Sequence, residues 1–362
     1  MKVGLVIYGD LRTVSGGHLY GRQLVDHLER QGDVVEIFSQ EPRSYARNLL
    51  RENVSTTLID DVLESELDVL LQDELNHASL LRANRYFRKW EGIPVVSIVH
   101  HLRSSEDRPR WQNAVARQLE RRYLRSVDGF IFNGETTKRT VESLAGVTEP
   151  SVVAVPAGNR FPEGISEDEI SKRVRRDGPL HVIFLGSVIP RKGLHILIDA
   201  LSRLPSESWR LSVVGPLDAD EAYTSAIHRQ VRRAGLYENV TLFGTLPDRE
   251  IARLLKSADL MAMPSSYEGY GIAYLEGMAF GLPALATTSG AASEIITTGD
   301  NGWLIDPGDT EAMAAILVSA LQDPETLAEM SLTARRRFLA HPTWEDSMSL
   351  VRSFLTSLTG SR

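Results

Sequence analysis

The chain has 362 residues, of which 42% are hydrophobic and 24% charged, with a formal net charge of −8. These values are typical of a soluble globular protein of two domains and argue against a nucleic-acid partner. It contains no cysteine, which excludes a disulfide framework, a thiolate zinc site and a cysteine nucleophile and is typical of cytoplasmic proteins. No apolar run approaches the roughly 20 residues that span a bilayer, and Met1–Asp10 lacks the apolar core and cleavage site of a signal peptide.

The first part of the chain alternates short apolar runs with amphipathic patterns, which predicts a parallel β-sheet flanked by helices. The predicted strands are Val3–Tyr8, Val34–Phe38, Val69–Gln72, Val95–His100, Gly129–Phe132 and Val152–Val155. The predicted helices are Gly17–Arg30, Ala78–Lys89, Trp111–Arg125 and Thr136–Leu144. A break rich in proline and glycine at residues 156–164, followed by a charged stretch to about Gly178, ends this pattern.

The same alternation then starts again. The predicted strands are Val182–Leu185, Leu211–Val214, Val240–Phe243, Leu260–Met263 and Ala284–Thr287. The predicted helices are Leu194–Leu204, Ala219–Ala234, Asp248–Ser257 and Gly271–Phe280. Continuous apolar strands between amphipathic helices are typical of parallel sheets covered on both faces, so the sequence predicts two doubly wound α/β domains.

The end of the chain predicts a return to the first domain. A helical pattern over Glu311–Leu339 is followed by Pro342, which ends a helix, and by an amphipathic stretch to about Leu358. We expect this final helix to cross back onto the first domain. The predicted domains are residues 1–160 completed by residues 343–362, and residues 161–342.

A glycine pair opens the first predicted helix. Ser15, Gly16, Gly17 and His18 come directly after the first strand. Glycines at a helix start let backbone N–H groups approach a phosphate, and the helix end adds partial positive charge. The spacing matches neither the dinucleotide fingerprint nor a Walker loop, and a glycine pair at a tight turn is as often structural.

A basic loop occupies the corresponding position in the second domain. Residues 186–193, with the sequence GSVIPRKG, join its first strand to its first helix. This places Arg191 and Lys192 at the carboxyl edge of the sheet, where open α/β sheets bind ligands. Arginine supplies a planar fork of donors and lysine a compact charge, which together suit a diphosphate. The alternative is a solvated basic pair.

Two glutamates eight positions apart form the most specific pattern in the chain. Glu268 lies in a glycine-flanked loop after a strand, and Glu276 lies in the helix that follows. The N–H groups at the start of that helix belong to Gly269, Tyr270, Gly271 and Ile272. Such groups can hold hydroxyls or phosphate. The alternative is a helix cap and an ordinary surface glutamate, which would not need so many glycines and aromatic residues.

From Glu268 to Glu276 the sequence resembles the E-x7-E motif of the retaining glycosyltransferases of family 4, which have the GT-B fold. Other elements of that family occur in the same order at Gly16–Gly17, Pro190–Gly193, Gly281–Pro283, Gly290–Glu294, Asn301–Gly302 and Pro307–Asp309. The resemblance covers nearly the whole chain and is strongest from residue 180 to 310. It implies the GT-B architecture, in which two Rossmann-like domains face each other across a cleft.

The resemblance implies a nucleotide diphosphate sugar as donor, with a UDP- or GDP-sugar as the default. The backbone at Gly16 and Gly17 would bind the diphosphate. Arg191 and Lys192 would neutralise its charge as it departs. The metal-dependent transferases use an ion for that purpose, whereas these side chains and amides can supply the stabilisation themselves. We therefore expect an enzyme that needs neither a metal ion nor a cofactor.

The resemblance also implies roles around the transferred sugar. Glu268 and the neighbouring amides would contact the sugar hydroxyls, and Glu276 would hold the ribose hydroxyls. His100 matches the family's active-site histidine, although His101 follows it directly and is an alternative. The segment Gly290–Glu294 departs from the family, since many relatives carry a second glycine where this chain has alanine.

Transfer with retention at the anomeric carbon is the reaction that the resemblance implies. Fold does not fix reaction, so two further kinds of protein stay open. One is an epimerase or a pyridoxal-type phosphorylase of the same architecture. The other is a non-catalytic protein that binds a sugar nucleotide or acts as a scaffold.

The acceptor is predicted to be a glycan, a lipid-linked group or a small-molecule alcohol. Residues 80–125 carry eleven basic and four acidic side chains, a local net charge of +7, with aromatic residues interleaved. Such a segment is typical of a surface for anionic lipid or an anionic acceptor, which predicts peripheral contact with the inner membrane surface. The alternative is two solvated helix faces.

Overall fold

The computed structural model describes residues 1–13, 15–41, 45–49, 57–87, 92–106, 108–162 and 164–360. The chain divides into two compact units. Unit 1 comprises Met1–Pro156 and Pro342–Arg362, and unit 2 comprises Ala157–His341. The predicted boundaries at residues 160 and 342 lie close to this division.

Unit 1 contains one parallel sheet and the helices that connect its strands. The strands are β1 (Lys2–Tyr8), β2 (Val34–Gln40), β3 (Val69–Asp73), β4 (Val95–Val99), β5 (Gly129–Phe132) and β6 (Ser151–Val153). The helices are α1 (Gly16–Arg30), α2 (Tyr45–Arg47), α3 (Thr57–Glu64), α4 (His77–Leu80), α5 (Ala83–Tyr86), α6 (Arg110–Leu124) and α7 (Glu135–Ala145). Strand β4, with the sequence VVSIV, is buried at every position, as a strand covered on both faces must be.

The strand order of unit 1 explains how both faces are covered. The order is β2-β1-β3-β4-β5-β6, and neighbouring strands are parallel. The chain moves from β1 to β2 and then returns to the other side of β1 for β3. Because parallel crossovers are right-handed, this reversal places helices on opposite faces. Open α/β sheets bind ligands at such a reversal, beyond the carboxyl ends of the strands.

Unit 2 repeats this organisation. Its strands are β7 (Leu180–Leu185), β8 (Trp209–Val214), β9 (Val240–Gly244), β10 (Leu260–Ala262), β11 (Ala284–Thr287) and β12 (Gly302–Ile305). Its helices are α8 (Glu167–Val174), α9 (Leu194–Leu201), α10 (Glu221–Arg233), α11 (Asp248–Ser257), α12 (Ile272–Met278), α13 (Thr310–Gln322) and α14 (Pro324–Leu339). The parallel order β12-β11-β10-β7-β8-β9 reverses between β7 and β10. The prediction of two doubly wound α/β domains is confirmed.

Two helical predictions were wrong in detail. The single helix predicted over Glu311–Leu339 is two helices, because Asp323 caps α14 through the N–H of Thr326 and Pro324 occupies the first helical position. The helix predicted over Ala78–Lys89 is the two short helices α4 and α5, and Lys89 lies outside the described residues. Nothing in the described contacts explains the second break.

Four elements were not predicted: helices α2 and α3, which lie between β2 and β3, helix α8, and strand β12. Helix α8 lies in the charged stretch before Gly178, where Ser166 and Glu169 form a capping box that fixes its start. Strand β12 pairs in parallel with β11, next to the Asn301–Gly302 pattern. Among the described helices, none is long and apolar enough to cross a membrane.

The final helix, α15 (Trp344–Thr359), belongs to unit 1, as predicted. Thr343 and Asp346 form a capping box at its start. The buried Trp344 ring packs edge-on against Tyr20 of α1, with ring centroids 5.8 Å apart. Two turns farther along the helix, Arg352 pairs with the carboxylate of Asp33 at 2.7 Å. Aromatic packing and an ion pair therefore join the end of the chain to its beginning.

Replacing Trp344 with alanine is expected to destabilise unit 1 by about 3 to 5 kcal/mol, because the change leaves a large cavity between α15 and α1. The free energy of unfolding in urea, followed by circular dichroism, measures this. Trp111→Ala is the matched control, since the Trp111 side chain is 69% exposed. Equal losses for the two variants would contradict the docking of α15 through Trp344.

Candidate active site

The start of α1 lies at the strand-order reversal of unit 1. The Ser15 hydroxyl caps this helix by accepting the N–H of His18 at 3.2 Å. The His18 ring is held between Ser15 Oγ at 2.7 Å and the carbonyl oxygen of Tyr8 at 3.2 Å. Within the described part of the chain, the N–H groups of Gly16 and Gly17 have no hydrogen-bond partner. These two N–H groups are thus available to an anion at the helix N-terminus.

The His100 ring, which follows β4, lies against this helix start. A Cβ atom on Gly17 would come within 3.2 Å of His100 Cδ2, so glycine permits the close approach. The ring also packs edge-on against Tyr20, with centroids 5.2 Å apart. Burial lowers the pKa of His100, so the imidazole is neutral at pH 7. The structure brings His100 and Gly17 together, two residues that the sequence separates by 83 positions.

The neighbouring His101 has a different partner. Its Nε2 atom lies 2.9 Å from Glu106 Oε1, and Arg108 binds the other oxygen of that carboxylate at 2.5 Å. Burial alone would raise the pKa of Glu106, but His101 and Arg108 hold it at about 2. His101 therefore contacts the Glu106 carboxylate that Arg108 also binds, whereas the His100 ring lies beside α1.

In unit 2 the basic loop after β7 contacts the loop after β10. Arg191 donates to the carbonyl oxygen of Tyr267 at 2.7 Å, and the Arg191 carbonyl accepts the N–H of Ser266 at 2.8 Å. Lys192 Nζ lies 2.7 Å from Glu268 Oε2. Gly193 has a φ of +73°, and a Cβ there would collide with the Pro264 carbonyl. Because the strand order reverses between β7 and β10, the basic loop and the loop that carries Glu268 lie in contact, and both were predicted to belong to the site.

Glu268 is held as a carboxylate. Burial by itself would raise its pKa, but Lys192 and Arg191 hold the pKa below its usual value. The Ser265 hydroxyl also donates to Glu268 Oε2 at 3.1 Å. The peptide of Glu268 pairs with the segment around Gly290, whose φ of +87° and close approach leave no room for a side chain. The conformation of Glu268 is therefore fixed by its backbone and by its charge partners.

The turn before α12 offers backbone rather than side-chain groups. Gly271 has a φ of +108° and caps the helix, and the Tyr274 hydroxyl donates to the carbonyl oxygen of Met263 at 2.9 Å. The Tyr270 side chain is buried, with its ring 6.1 Å from that of His341. Tyr270 can thus contact a ligand through its N–H, like Gly271 and Ile272, but not through its ring.

Glu276 lies one turn into α12 and is 4% exposed. Burial raises its pKa to about 7, and a 3.5 Å ion pair with Arg160 offsets only part of the cost of ionisation. Arg160 is bound more closely by Asp248, at 2.5 Å. Arg160 was not predicted as a site residue, because it lies in a proline- and glycine-rich break 116 positions from its partner Glu276.

The sequence also contains an Asp-x-Asp pattern at Asp218 and Asp220, a spacing that metal-dependent transferases carry. In the structure Asp220 caps α10, and its carboxylate accepts the N–H of Tyr223 at 2.9 Å. Capping of α10 is therefore a structural role for Asp220, one of the two aspartates of the pattern.

The basic segment 80–125 includes one well-defined exposed helix. On α6, Trp111 is 69% and Val115 49% exposed, one turn apart. Arg117, Arg121 and Arg122 are exposed on the same helix. Arg88, Lys89, Trp90, Glu91 and Asp107 lie outside the described residues. The exposed surface of α6 therefore carries apolar as well as basic side chains.

Comparison with known proteins assigns both halves of the chain to related families. Residues 166–337 match the family described as glycosyl transferases group 1, and residues 14–158 match glycosyltransferase family 4. The structure resembles that of HepE from Anabaena in complex with UDP and glucose, with a TM-score of 0.77, 23% identity and coverage of 99% of this chain and 100% of that one. It also resembles sucrose-phosphate synthase from Thermosynechococcus elongatus, with a TM-score of 0.81, 18% identity and full coverage of both chains. At these identities the likeness shows a common fold.

Curated relatives are similar in sequence over large parts of the chain. The MMP α-(1→4)-mannosyltransferase of Mycolicibacterium hassiacum is 27% identical over 70% of this chain and 63% of its own length. The D-inositol 3-phosphate glycosyltransferase of Rhodococcus erythropolis is 26% identical over 89% of this chain and 82% of its own. The chain thus spans slightly less than two thirds of the first of these relatives.

The stability of unit 2 is expected to depend on the charge of Glu276. Because its folded-state pKa is above the usual value of 4.5, ionising the carboxyl opposes folding, and the stability it contributes below pH 4.5 is lost as the pH rises through 7. Glu276→Gln is therefore expected to be more stable than the wild type at pH 8, by up to about 3 kcal/mol, and the difference disappears below pH 5.

Urea unfolding at a series of pH values measures this difference. Glu250→Gln, which changes an exposed carboxylate on α11, is the matched control and should show no such trend. A difference for Glu276→Gln that does not change with pH would show that the buried carboxyl does not titrate in this range.

Proposed function

Because this chain belongs to glycosyltransferase family 4, whose members have the GT-B fold, we propose that it transfers a hexosyl group from a nucleotide diphosphate sugar to an acceptor hydroxyl, with retention at the anomeric carbon. The observation that carries this proposal is the ion pair between Lys192 and Glu268, with Arg191 beside it. It places fixed cations next to an ionised carboxylate at the ligand-binding edge of a parallel sheet.

The cations of this cluster are suited to the departing nucleotide. Breaking the bond between the sugar and the diphosphate develops negative charge on the phosphate oxygen that leaves. Lys192 has three donors and uses one of them for Glu268, so it can bind a phosphate oxygen without releasing the carboxylate. Fixed charges that need no rearrangement stabilise a transition state most effectively. We propose that Arg191 and Lys192 perform this task and that transfer needs no metal ion.

The two glutamates are suited to different hydroxyls. Glu268 is ionised because of Lys192 and Arg191, so its free oxygen can accept hydrogen bonds from sugar hydroxyls. Glu276 would accept those of the ribose, which its ionised form does best. Burial raises the pKa of Glu276. Hydrogen bonds donated by the two ribose hydroxyls, together with the charge of Arg160, would favour the ionised form. The N–H groups of Gly271 and Ile272 lie on the same segment of chain as both glutamates.

In unit 1 the N–H groups of Gly16 and Gly17 are suited to phosphate oxygens. The neutral ring of His100 has one donor and one acceptor nitrogen, so it can bind a hydroxyl of the sugar or of the acceptor. The donor is proposed to be a UDP- or GDP-sugar, because relatives include a structure bound to UDP-glucose and a GDP-mannose-dependent mannosyltransferase.

Calorimetric titration with UDP, GDP and ADP, first without metal and then with Mg²⁺, tests the donor site. One nucleotide is expected to bind clearly more tightly than the others and to be indifferent to Mg²⁺. Lys192→Met should weaken its binding by about 10- to 100-fold, because a charge-assisted bond to phosphate is lost. Lys172→Met, which removes an exposed lysine paired with Asp168 on α8, should bind like the wild type.

Absence of binding to all three nucleotides would overturn the proposal. Binding without sugar transfer to any of a panel of glycan, lipid-linked and alcohol acceptors would instead support a non-catalytic sugar-nucleotide-binding protein. Equal nucleotide affinities of the Lys192→Met and Lys172→Met variants would show that Lys192 does not bind the diphosphate.

The acceptor is proposed to lie at an anionic membrane surface, through the exposed face of α6. Trp111 and Val115 supply apolar contact, and Arg117, Arg121 and Arg122 supply charge. Aromatic residues together with cations are the features by which peripheral helices bind lipid head groups. A lipid-linked acceptor would be concentrated at such a surface, whereas a free glycan or small alcohol would not require it.

Vesicles containing phosphatidylglycerol are expected to bind the wild-type protein, and R117E/R121E/R122E is expected to weaken binding by about 100-fold or more, since each charge contributes about 1 kcal/mol. Sedimentation with vesicles measures this. The matched control is R229E/R232E/R233E, which reverses three exposed charges on α10 of unit 2. Equal binding by all three proteins would exclude this face of α6.

A further inference from the structure

A second cluster of ionisable side chains lies inside unit 1, apart from the residues assigned above. Glu74 belongs to the short turn after β3, His77 begins α4, and Glu120 lies on α6. Their side chains are 0%, 1% and 0% exposed. One ligand atom from each of the three lies within 4.8 Å of the others. Three chain segments thus bring two carboxyl groups and an imidazole into one enclosed space.

The charges of this cluster are not balanced by the surrounding protein. Glu120 Oε1 accepts the N–H of Ser104 at 3.0 Å, but its other oxygen has no hydrogen-bond partner. His77 Nδ1 lies 3.0 Å from the Glu74 carbonyl oxygen and 3.1 Å from Glu74 Oε1, and neither carboxylate oxygen of Glu74 has a hydrogen-bond partner. Among the residues that the structure describes, none forms an ion pair with Glu120.

Two buried carboxylates with unused oxygens are costly unless a cation accompanies them. The cluster therefore requires additional positive charge, either as a metal ion or as a proton. A divalent ion would neutralise both carboxylates and use the oxygens that have no hydrogen-bond partner.

We propose that Glu74, His77 and Glu120 bind one divalent first-row transition-metal ion, with Zn²⁺ or Mn²⁺ as the candidates. One imidazole nitrogen and two carboxylate oxygens form a donor set that such ions accept. The second ring nitrogen of His77, Nε2, lies 2.8 Å from the Tyr45 hydroxyl. Histidines that bind metals use their second nitrogen for a contact of this kind, which fixes the orientation of the ring.

The role of this ion would be structural. It would join the segment after β3 to α6, and through Ser104 to the loop that follows His100 and His101. Because the three side chains are enclosed, the ion would have no open position for a substrate. The proposal is independent of the donor site in unit 2, where transfer is proposed to proceed without metal.

Metal analysis of the purified protein, prepared without metal-affinity chromatography, tests the proposal in the absence of nucleotide. About one equivalent of Zn²⁺ or Mn²⁺ per chain is expected in the wild type, and at least about tenfold less in Glu120→Gln, which keeps the size of the side chain and removes its charge. Asp259→Asn is the matched control, since it changes a buried carboxylate that pairs with Arg176 in unit 2. It should retain the ion.

Melting temperature provides a second measurement that does not depend on how well a variant folds. EDTA should lower the melting temperature of the wild type, and Zn²⁺ or Mn²⁺ added in excess should restore it. A wild-type protein that contains neither ion and whose melting temperature responds to neither treatment would overturn the proposal. Equal metal content in Glu120→Gln and the wild type would also overturn it.

Discussion

Parallel pairing of β7 with β10 is the constraint on which the candidate donor site depends. These strands are 75 or more positions apart in the chain, yet their register brings the loops at their carboxyl ends side by side. Lys192 on one loop then reaches Glu268 on the other, and Arg191 binds the Tyr267 carbonyl. Gly193 and Gly290 permit the backbone contacts that hold this arrangement. The ion pair is thus a consequence of strand order more than of any local sequence.

The two glutamates of the E-x7-E pattern show how environment separates residues of one type. Glu268 has cations beside it and stays ionised, whereas Glu276 is buried with a single, more distant partner and titrates near pH 7. Opposite pKa shifts within one motif are a common sign of distinct chemical roles. Here the difference follows from Lys192, which belongs to the basic loop, and from Arg160, which lies at the start of unit 2.

Unit 1 offers chemistry of another kind. Its helix start provides N–H groups and a neutral histidine. Its charged groups lie instead on the surface of α6 and inside the enclosed Glu74, His77 and Glu120 cluster. A unit of this composition is suited to holding hydroxyls and to contacting an anionic surface. Unit 2, with its fixed cations, is suited to a diphosphate.

The sequence by itself determined the two α/β units, most strand positions and the segments that carry the candidate site, because apolar periodicity and glycine-rich turns are local properties. It also indicated the return of the final helix. Only the tertiary structure decided that His100 rather than His101 lies beside Gly17, that Arg160 reaches Glu276, and that Glu120 is buried with Glu74 and His77. Each of these contacts joins residues from different segments, and their distances follow from how strands and helices pack, which no local pattern records.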